Sequence, residues 1–260
     1  MTSTANPNPE WIAPDWPAPA RVRAFVTTRA GGVSRAPYDS FNLGARCGDD
    51  AAAVLANRAT LRNYLPAEPV WLRQVHGAQT IDAETLAIGA GTPRQPAHEP
   101  AADASFTRSP GIVCAVLAAD CMPVLLSDRS GAVVAAVHAG WRGMSGGVIE
   151  AAVAAMGVPP GDVVAWLGPA IGPDQFEVGA DVRQAFTATN EAAAAAFKPY
   201  PERPEKWLCD LYLLARLRLA ALGVEGVYGG GGCTVSDARF YSFRRDKTTG
   251  RMGAFIWLSE

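Results

Sequence analysis

Three residues whose types ligate metals or serve as nucleophile and base stand out in this chain. They are His76 in Arg73-Gln-Val-His76-Gly, Cys121 in Ala119-Asp120-Cys121-Met-Pro and His138 in Val137-His138-Ala-Gly-Trp141-Arg-Gly143. Each follows a β-type run and precedes a glycine or proline turn. An architecture that ends those strands together would bring residues 45 and 17 positions apart onto one rim, where loops carry function. Two neutral imidazoles and one thiolate make a three-ligand zinc site whose fourth position stays open, as in catalytic rather than structural zinc. The same residues also allow a metal-free alternative, with Cys121 as nucleophile and His138 as its base. Taken singly, each has an ordinary reading: strand-end histidines are commonly structural, and lone cysteines are commonly small buried hydrophobes.

Several other chemistries lose their sequence support. Gly89-Ala-Gly91 lacks the third glycine of a dinucleotide fingerprint, and no GxxxxGK[ST] occurs. The tetraglycine Gly229 to Gly232 reads as a flexible turn after a strand. Gly143-Met-Ser145-Gly-Gly147 matches GxSxG, but the hydrolase fold that uses this elbow needs a later histidine, and none follows His138. Ser145 reads instead as a helix N-cap. His98-Glu99 begins an HExxH pattern that fails at Ala102, so His98 is expected in a solvated loop.

The elements that must position these residues belong to an ordinary globular chain. Its 260 residues, 49% hydrophobic and 18% charged, suffice for a sizeable core without disulfide staples. Five cysteines without CxxC spacing, and no leader-like apolar block in residues 1–20, predict a reducing cytoplasm. The apolar run from Ile112 to Ala119 is far short of the ~18 residues of a membrane span, so no membrane partner is expected. With 23 basic and 25 acidic residues and no basic run, no nucleic-acid partner is expected either.

Residues 1–20 carry Pro7, Pro9, Pro14, Pro17 and Pro19 and predict an extended, lightly packed N-terminal arm; residues 21–260 form the domain. Gly89 to Ala102, rich in proline, reads as a surface loop. β-type runs at Val22–Thr27, Val70–Val75, Ile112–Leu117, Pro123–Ser127, Ala132–Val137, Val163–Leu167 and Ala254–Leu258 alternate with helical stretches. Helices are predicted from a cap at Asp49 or Asp50 through Leu65, from a cap at Ser145 ending before Gly157, over Asp181 to Phe197, and from a cap at Asp210 ending before Gly223. Interleaving of this kind predicts an α/β protein built in layers.

The segments Arg73-Gln-Val-His76-Gly, Ala119-Asp120-Cys121-Met-Pro-Val, His138-Ala-Gly-Trp-Arg-Gly143, Leu167-Gly-Pro-Ala-Ile-Gly172 and Arg239-Phe-Tyr-Ser-Phe-Arg-Arg245, followed by Thr249-Gly-Arg251, closely resemble the YfiH/DUF152 family. Thr28-Arg-Ala-Gly-Gly-Val-Ser34 and Asn42-Leu-Gly44 are similar to its early motif. Members go by three names: laccase-like polyphenol oxidase, peptidoglycan editing factor and multifunctional purine nucleoside phosphorylase. The resemblance covers roughly residues 22–258 and implies one YfiH-like catalytic domain, an α/β (α+β) sandwich of mixed sheets flanked by helices. It implies a zinc ion on His76, Cys121 and His138, and places Arg58 and Asn42 near the substrate.

It further implies phosphorolysis of purine nucleosides (adenosine, inosine, guanosine, methylthioadenosine) to base and ribose-1-phosphate, with deamination of adenosine beside it. The partners are then purine nucleosides and inorganic phosphate. Zinc would lower the pKa of a bound water towards ~7 for deamination. Zinc-dependent deaminases add a carboxylate, for which Asp103 or Asp120 is the candidate, with Glu177 behind them. Phosphorolysis needs cations at the anion, a task for Arg58, Arg73, Arg142 or Arg244. Trp141 and Phe243 could stack on the base. Two alternatives remain. A copper-dependent polyphenol oxidase would need more imidazoles than 3 histidines supply to a multicopper cluster. A peptidoglycan-precursor editing hydrolase could work through Cys121 and His138.

Overall fold

In the computed structural model, which describes residues 10–87, 98–201 and 203–260, strands outnumber helices in the first half of the chain. It runs β1 (Val22–Val26), α1 (Ala51–Arg62), β2 (Thr80–Asp82), α2 (Glu84–Ala87), β3 (Ala104–Thr107), β4 (Cys114–Ala118), β5 (Met122–Asp128) and β6 (Val134–Ala139). The second half brings the helices: α3 (Trp141–Ser145), α4 (Val148–Met156), β7 (Val163–Leu167), β8 (Glu177–Val178), α5 (Ala180–Thr187), β9 (Phe197–Pro199), β10 (Trp207–Cys209), α6 (Leu211–Leu222), β11 (Gly226–Gly229), α7 (Phe243–Asp246) and β12 (Met252–Leu258).

Period-two alternation gives the central strands two apolar faces and so forces layers on both sides. On β5, Val124 and Leu126 join one core and Leu125 another; on β6, Ala135 and Val137 oppose Val134 and Ala136. The result is a mixed six-stranded sheet in the order β11-β7-β5-β6-β3-β2, parallel only at β11–β7 and β2–β3. Its first face is covered by α4 and α6, through Val148, Ile149, Ala152, Leu214, Ala215 and Leu219. Its second face packs on the antiparallel sheet β1-β12-β4, where Val22, Val26, Val116, Ala254 and Ile256 meet Leu125, Val134 and Trp166. The far side of that smaller sheet is closed by Trp11, Phe41, Leu61 and Trp71 around Phe25 and Phe255. A third sheet, β8-β10-β9, lies at the helical side. The layered α/β expectation is met.

Local chemistry accounts for the helix ends. The Asp50 side chain accepts from the Ala52 N–H at 3.0 Å, and Asp210 from the Leu213 N–H at 2.9 Å. Gly223, at φ 89°, closes α6 in the left-handed conformation that glycine tolerates.

Other expectations need correction. Ser145 does not cap a helix; it ends α3, its hydroxyl donates to the Arg142 carbonyl at 3.0 Å, and Gly147 stands at the N-cap of α4. The helix expected over Asp181 to Phe197 breaks, because the Asn190 side chain takes the Ala192 N–H and restarts the chain as a 3-10 turn over Glu191–Ala196. Val70 to Val75 makes only isolated bridges, at Val70 and Arg73; next to it, the Gln74 amide both donates to and accepts from the Leu117 backbone at 2.8 Å, side-chain bonds where a strand would use its own backbone. The described part of the N-terminal arm is not loose: Trp11 is buried and Ile12 pairs with Val26. Residues 88–97, most of the expected proline-rich loop, lie outside the described residues, as do residues 1–9. The tetraglycine begins on the last residue of β11 and continues as irregular chain rather than a turn, with Gly229, Gly230 and Gly231 at positive φ. The five cysteines are free, and among the described residues no helix is long and apolar enough to cross a membrane.

Asp128 closes the β5–β6 hairpin: it accepts the Ala132 and Val133 N–H groups at 2.7 and 2.9 Å and the Ser130 N–H at 3.1 Å, with the Ser130 hydroxyl beside them. Burial opposes its ionisation, but these donors win and hold the carboxyl below its ordinary value. Asp128→Asn is expected to lower unfolding free energy by about 1–3 kcal/mol at neutral pH in chemical denaturation. Because the folded carboxyl is the stronger acid, its contribution is complete above the unfolded value near ~4 and is lost as pH falls through the folded one. The gap between native protein and variant should therefore close at acid pH; a gap independent of pH would rule out the ionised clamp.

Candidate active site

The geometry of the site is set by a carboxylate that does not face it. Asp103, fully buried just before β3, accepts from three successive backbone amides: Val75 at 3.1 Å, His76 at 2.9 Å and Gly77 at 2.7 Å. This grip holds His76 at φ 59°, a left-handed conformation uncommon outside glycine. Asp103 Oδ1 also meets His138 Nδ1 at 2.8 Å, and the His138 N–H donates to the Asp103 carbonyl at 2.7 Å. With Nδ1–H bound to the carboxylate, His138 is left with Nε2 as its ligand atom. His138 lies within β6, one residue short of its end, rather than in the turn beyond it.

Cys121 occupies the turn between β4 and β5, with Sγ 3.8 Å from His76 Nε2. The ligand atoms of His76, Cys121 and His138 all lie within 4.8 Å of one another, and the two imidazoles meet edge to face at 4.9 Å. Tetrahedral zinc, with bonds of ~2.3 Å to sulfur and ~2.0–2.1 Å to nitrogen, separates such atoms by about 3.6 Å, so the donor set fits a metal of this kind. Gly140 leaves the room: a Cβ there would lie 2.7 Å from Cys121 Sγ and 3.1 Å from the His76 ring. Burial pushes the Cys121 thiol up, but the imidazoles of His138 and His76 outweigh it and draw it down to about 6. Burial pulls His138 the other way, and the Cys121 thiolate and Asp103 carry it up to about 9. Both shifts favour a thiolate beside a protonated imidazole, and a metal would displace the His138 proton on binding.

The trio opens into a cavity of about 530 Å³. Apolar walls come from Leu72, Leu117, Ala119 and Ile171, and aromatic ones from Trp141, Phe176 and Phe243. Arg46, Arg58, Arg142, Arg244 and Arg251 face it together, against two carboxylates, Glu99 and Asp120.

Of the residues expected at the substrate, Arg58, Asp120, Arg142 and Arg244 line this cavity. The Arg58 Nε donates to the Leu43 carbonyl at 3.0 Å, and its guanidinium lies 3.9 Å from the Trp71 ring centre. Burial pulls that guanidinium below its usual value and Glu99 opposes the pull. Asp120 accepts the Thr234 hydroxyl and the Arg244 N–H, both at 2.6 Å. The Arg244 side chain donates to the Gln175 and Glu177 carbonyls at 3.4 and 3.1 Å. Arg142 is exposed and folds over Trp141 at 4.3 Å.

Four expected residues are elsewhere. Arg73 is exposed and does not line the cavity. Asn42 is fully buried with its amide engaged, accepting from Gly44 and Arg251 at 2.9 Å and donating to Asp49 at 2.9 Å. Asp103 is the positioning group already described, with no free face towards substrate. Glu177 turns outward to Arg203 at 2.9 Å and Lys206 at 3.9 Å. His98 is exposed, as expected, whereas its neighbour Glu99 is buried and faces the cavity. Sequence reasoning discarded Glu99 with the broken HExxH pattern and missed Arg46, Arg251 and Phe176. Of these, Arg251 alone carried a signal, in the Thr249-Gly-Arg251 segment.

Asp103→Asn puts amide hydrogens against the backbone donors and breaks the His138 contact. Zinc affinity measured by chelator competition is expected to fall roughly 10–100-fold; an unchanged affinity would show that Asp103 does not position the ligands.

Known proteins match this arrangement along almost the whole chain. Residues 23–259 fit the family model described as multi-copper polyphenol oxidoreductase laccase. A Pseudomonas aeruginosa protein named purine nucleoside phosphorylase is 52% identical, covering 96% of this chain and 99% of its own. Escherichia coli YfiH, also named purine nucleoside phosphorylase, is 50% identical over 95% of this chain and 98% of its own. The crystal structure of a DUF152 protein from Neisseria meningitidis, 46% identical, superposes with a TM-score of 0.89 over 96% of this chain and all of the other. With the motifs, the layers and half of all residues shared from end to end, the chain belongs to the laccase-like polyphenol oxidoreductase family of YfiH/DUF152 proteins.

Proposed function

We propose that this protein is a zinc-dependent purine nucleoside phosphorylase, splitting nucleosides such as adenosine, inosine, guanosine and methylthioadenosine with inorganic phosphate. The observation that carries the reading is the convergence of His76, Cys121 and His138 on a cavity faced by five arginines. A volume of about 530 Å³ suits a ligand of nucleoside size. The names of the relatives from Pseudomonas aeruginosa and Escherichia coli support it.

In the reaction a phosphate oxygen forms a bond to C1′ as the bond from C1′ to the purine nitrogen breaks, and the base leaves with that electron pair and takes up a proton. Zinc on His76 Nε2, Cys121 Sγ and His138 Nε2 would supply a Lewis acid with one open position. The chain's own part is to hold reactants in line and to neutralise charge. Guanidinium groups suit the anion because their donors match oxyanion geometry, and in a site screened from water they act at lower dielectric. Trp141, Phe176 and Phe243 give the cavity aromatic lining for the base. Adenosine deamination is a second reading, favoured by one carboxylate, Asp120, that faces the cavity beside Cys121; Asp103 and Glu177 are removed from that role by their contacts.

Oxidase chemistry through a multicopper cluster lacks ligands. The chain has 3 histidines, His98 is exposed, and among the described residues one group of three metal-binding side chains occurs.

Purified protein given inosine and phosphate is expected to yield hypoxanthine and ribose-1-phosphate. Cys121→Ala should abolish this, and chelation should do the same until zinc is restored. Turnover that survives Cys121→Ala unchanged would refute a centre built on the trio. Oxygen uptake with a phenolic substrate by the copper-loaded protein, lost when zinc replaces the copper, would support the oxidase instead.

A further inference from the structure

The geometry points to Glu99 as a positioning residue that draws the Arg46 and Arg58 guanidinium groups together on one wall of the cavity, making the subsite for inorganic phosphate. This rests on the phosphorolysis reading above and adds to it where the anion sits and what builds its seat.

The carboxyl of Glu99 is nearly sealed, 2% exposed, yet belongs to a residue that lines the cavity. Its Oε2 takes Arg46 Nη1, and its Oε1 lies 3.4 Å from Arg58 Nη1. One carboxylate thus gathers two cations, and the cluster keeps a net charge of about one positive unit. Arg58 is itself buried, its side chain 9% exposed, with Nε engaged by the Leu43 carbonyl and the ring of Trp71 beneath it. Its Nη2 has no hydrogen-bond partner among the described residues. A cavity-lining guanidinium with a donor left over can give it to a ligand oxygen.

The unengaged capacity of this wall is chiefly N–H. Arg251 also lines the cavity, with Nη1 given to the Thr249 and Gly250 carbonyls. Donors in such number match a ligand whose surface is oxygen acceptors, as in phosphate, better than the hydroxyl groups of a ribose. Two guanidinium forks joined by a carboxylate present flat, fixed donor pairs, the geometry that recognises a tetrahedral oxyanion. Glu99 ties Arg46, 40% exposed at its side chain, to the buried Arg58 and so sets the spacing of the two guanidinium groups.

Glu99→Gln separates positioning from charge. Removing a negative charge should tighten phosphate binding if only electrostatics mattered, whereas loss of the clamp should weaken it. With zinc-loaded protein, inosine and varied phosphate, Glu99→Gln and Arg46→Ala are each expected to raise KM for phosphate at least tenfold. KM for inosine and zinc content should stay within twofold, and Arg46→Lys should recover part of the loss. Should the buried Glu99 variant fold poorly, the exposed Arg46 pair carries the test. Calorimetric titration with inorganic phosphate, without nucleoside, separates the two readings. Phosphate binding weakened tenfold by Arg46→Ala, in a protein that turns over no nucleoside, would uphold the subsite while phosphorolysis falls. Turnover with a KM for phosphate unchanged in both variants, or a KM for inosine raised instead, would overturn the subsite while phosphorolysis stands.

Discussion

One buried carboxylate organises the centre of this protein. Asp103 takes the amides of residues 75–77 and the Nδ1–H of His138 on its two oxygens, so a single side chain sets both the backbone of one histidine and the tautomer of the other. Burying a charge is unfavourable without partners, and here four donors supply them. The consequence reaches outward. His76 can point at Cys121 only because its backbone is held left-handed, and Cys121 can approach only because Gly140 has no side chain.

The layers exist to hold that clamp still. β3 and β6 run antiparallel with Ala104 opposite Val137, which puts Asp103 beside His138 without help from any loop. The turn between β4 and β5 links the two packed sheets, and Cys121 sits in it, so the thiolate is fixed by both. Charge is then distributed unevenly around the cavity: five arginines on the walls, and two carboxylates each bound by its own donors. Such an arrangement leaves a cationic space beside a cysteine and two histidines, which is what an anionic reactant and a metal-assisted displacement require.

Much of the frame was legible from periodicity. β1, β5, β6, β7 and β12 lie where alternating apolar runs placed them, and the Asp50 and Asp210 caps follow from side-chain oxygens that reach the first free amides of a helix. Short strands escaped, β3 and β11 among them, because four residues carry too little pattern and their pairing is decided by partners distant in sequence. Ser145 misled for a related reason: it can cap a helix or end one, and Gly147 at φ 91° took the cap.

The types of residue determined the candidate chemistry. With 3 histidines and 5 cysteines, few metal centres are available, and composition and motif alone single out His76, Cys121 and His138. Which polar residues serve them was a matter of tertiary structure alone. Asp103 became a support and Asn42 a loop anchor, Arg73 turned to solvent, and Glu99 turned inward with two arginines. A carboxylate or guanidinium has the same chemistry wherever it stands in the chain. Its role depends on burial and on the donors that surround it, and those come from segments that only folding brings together.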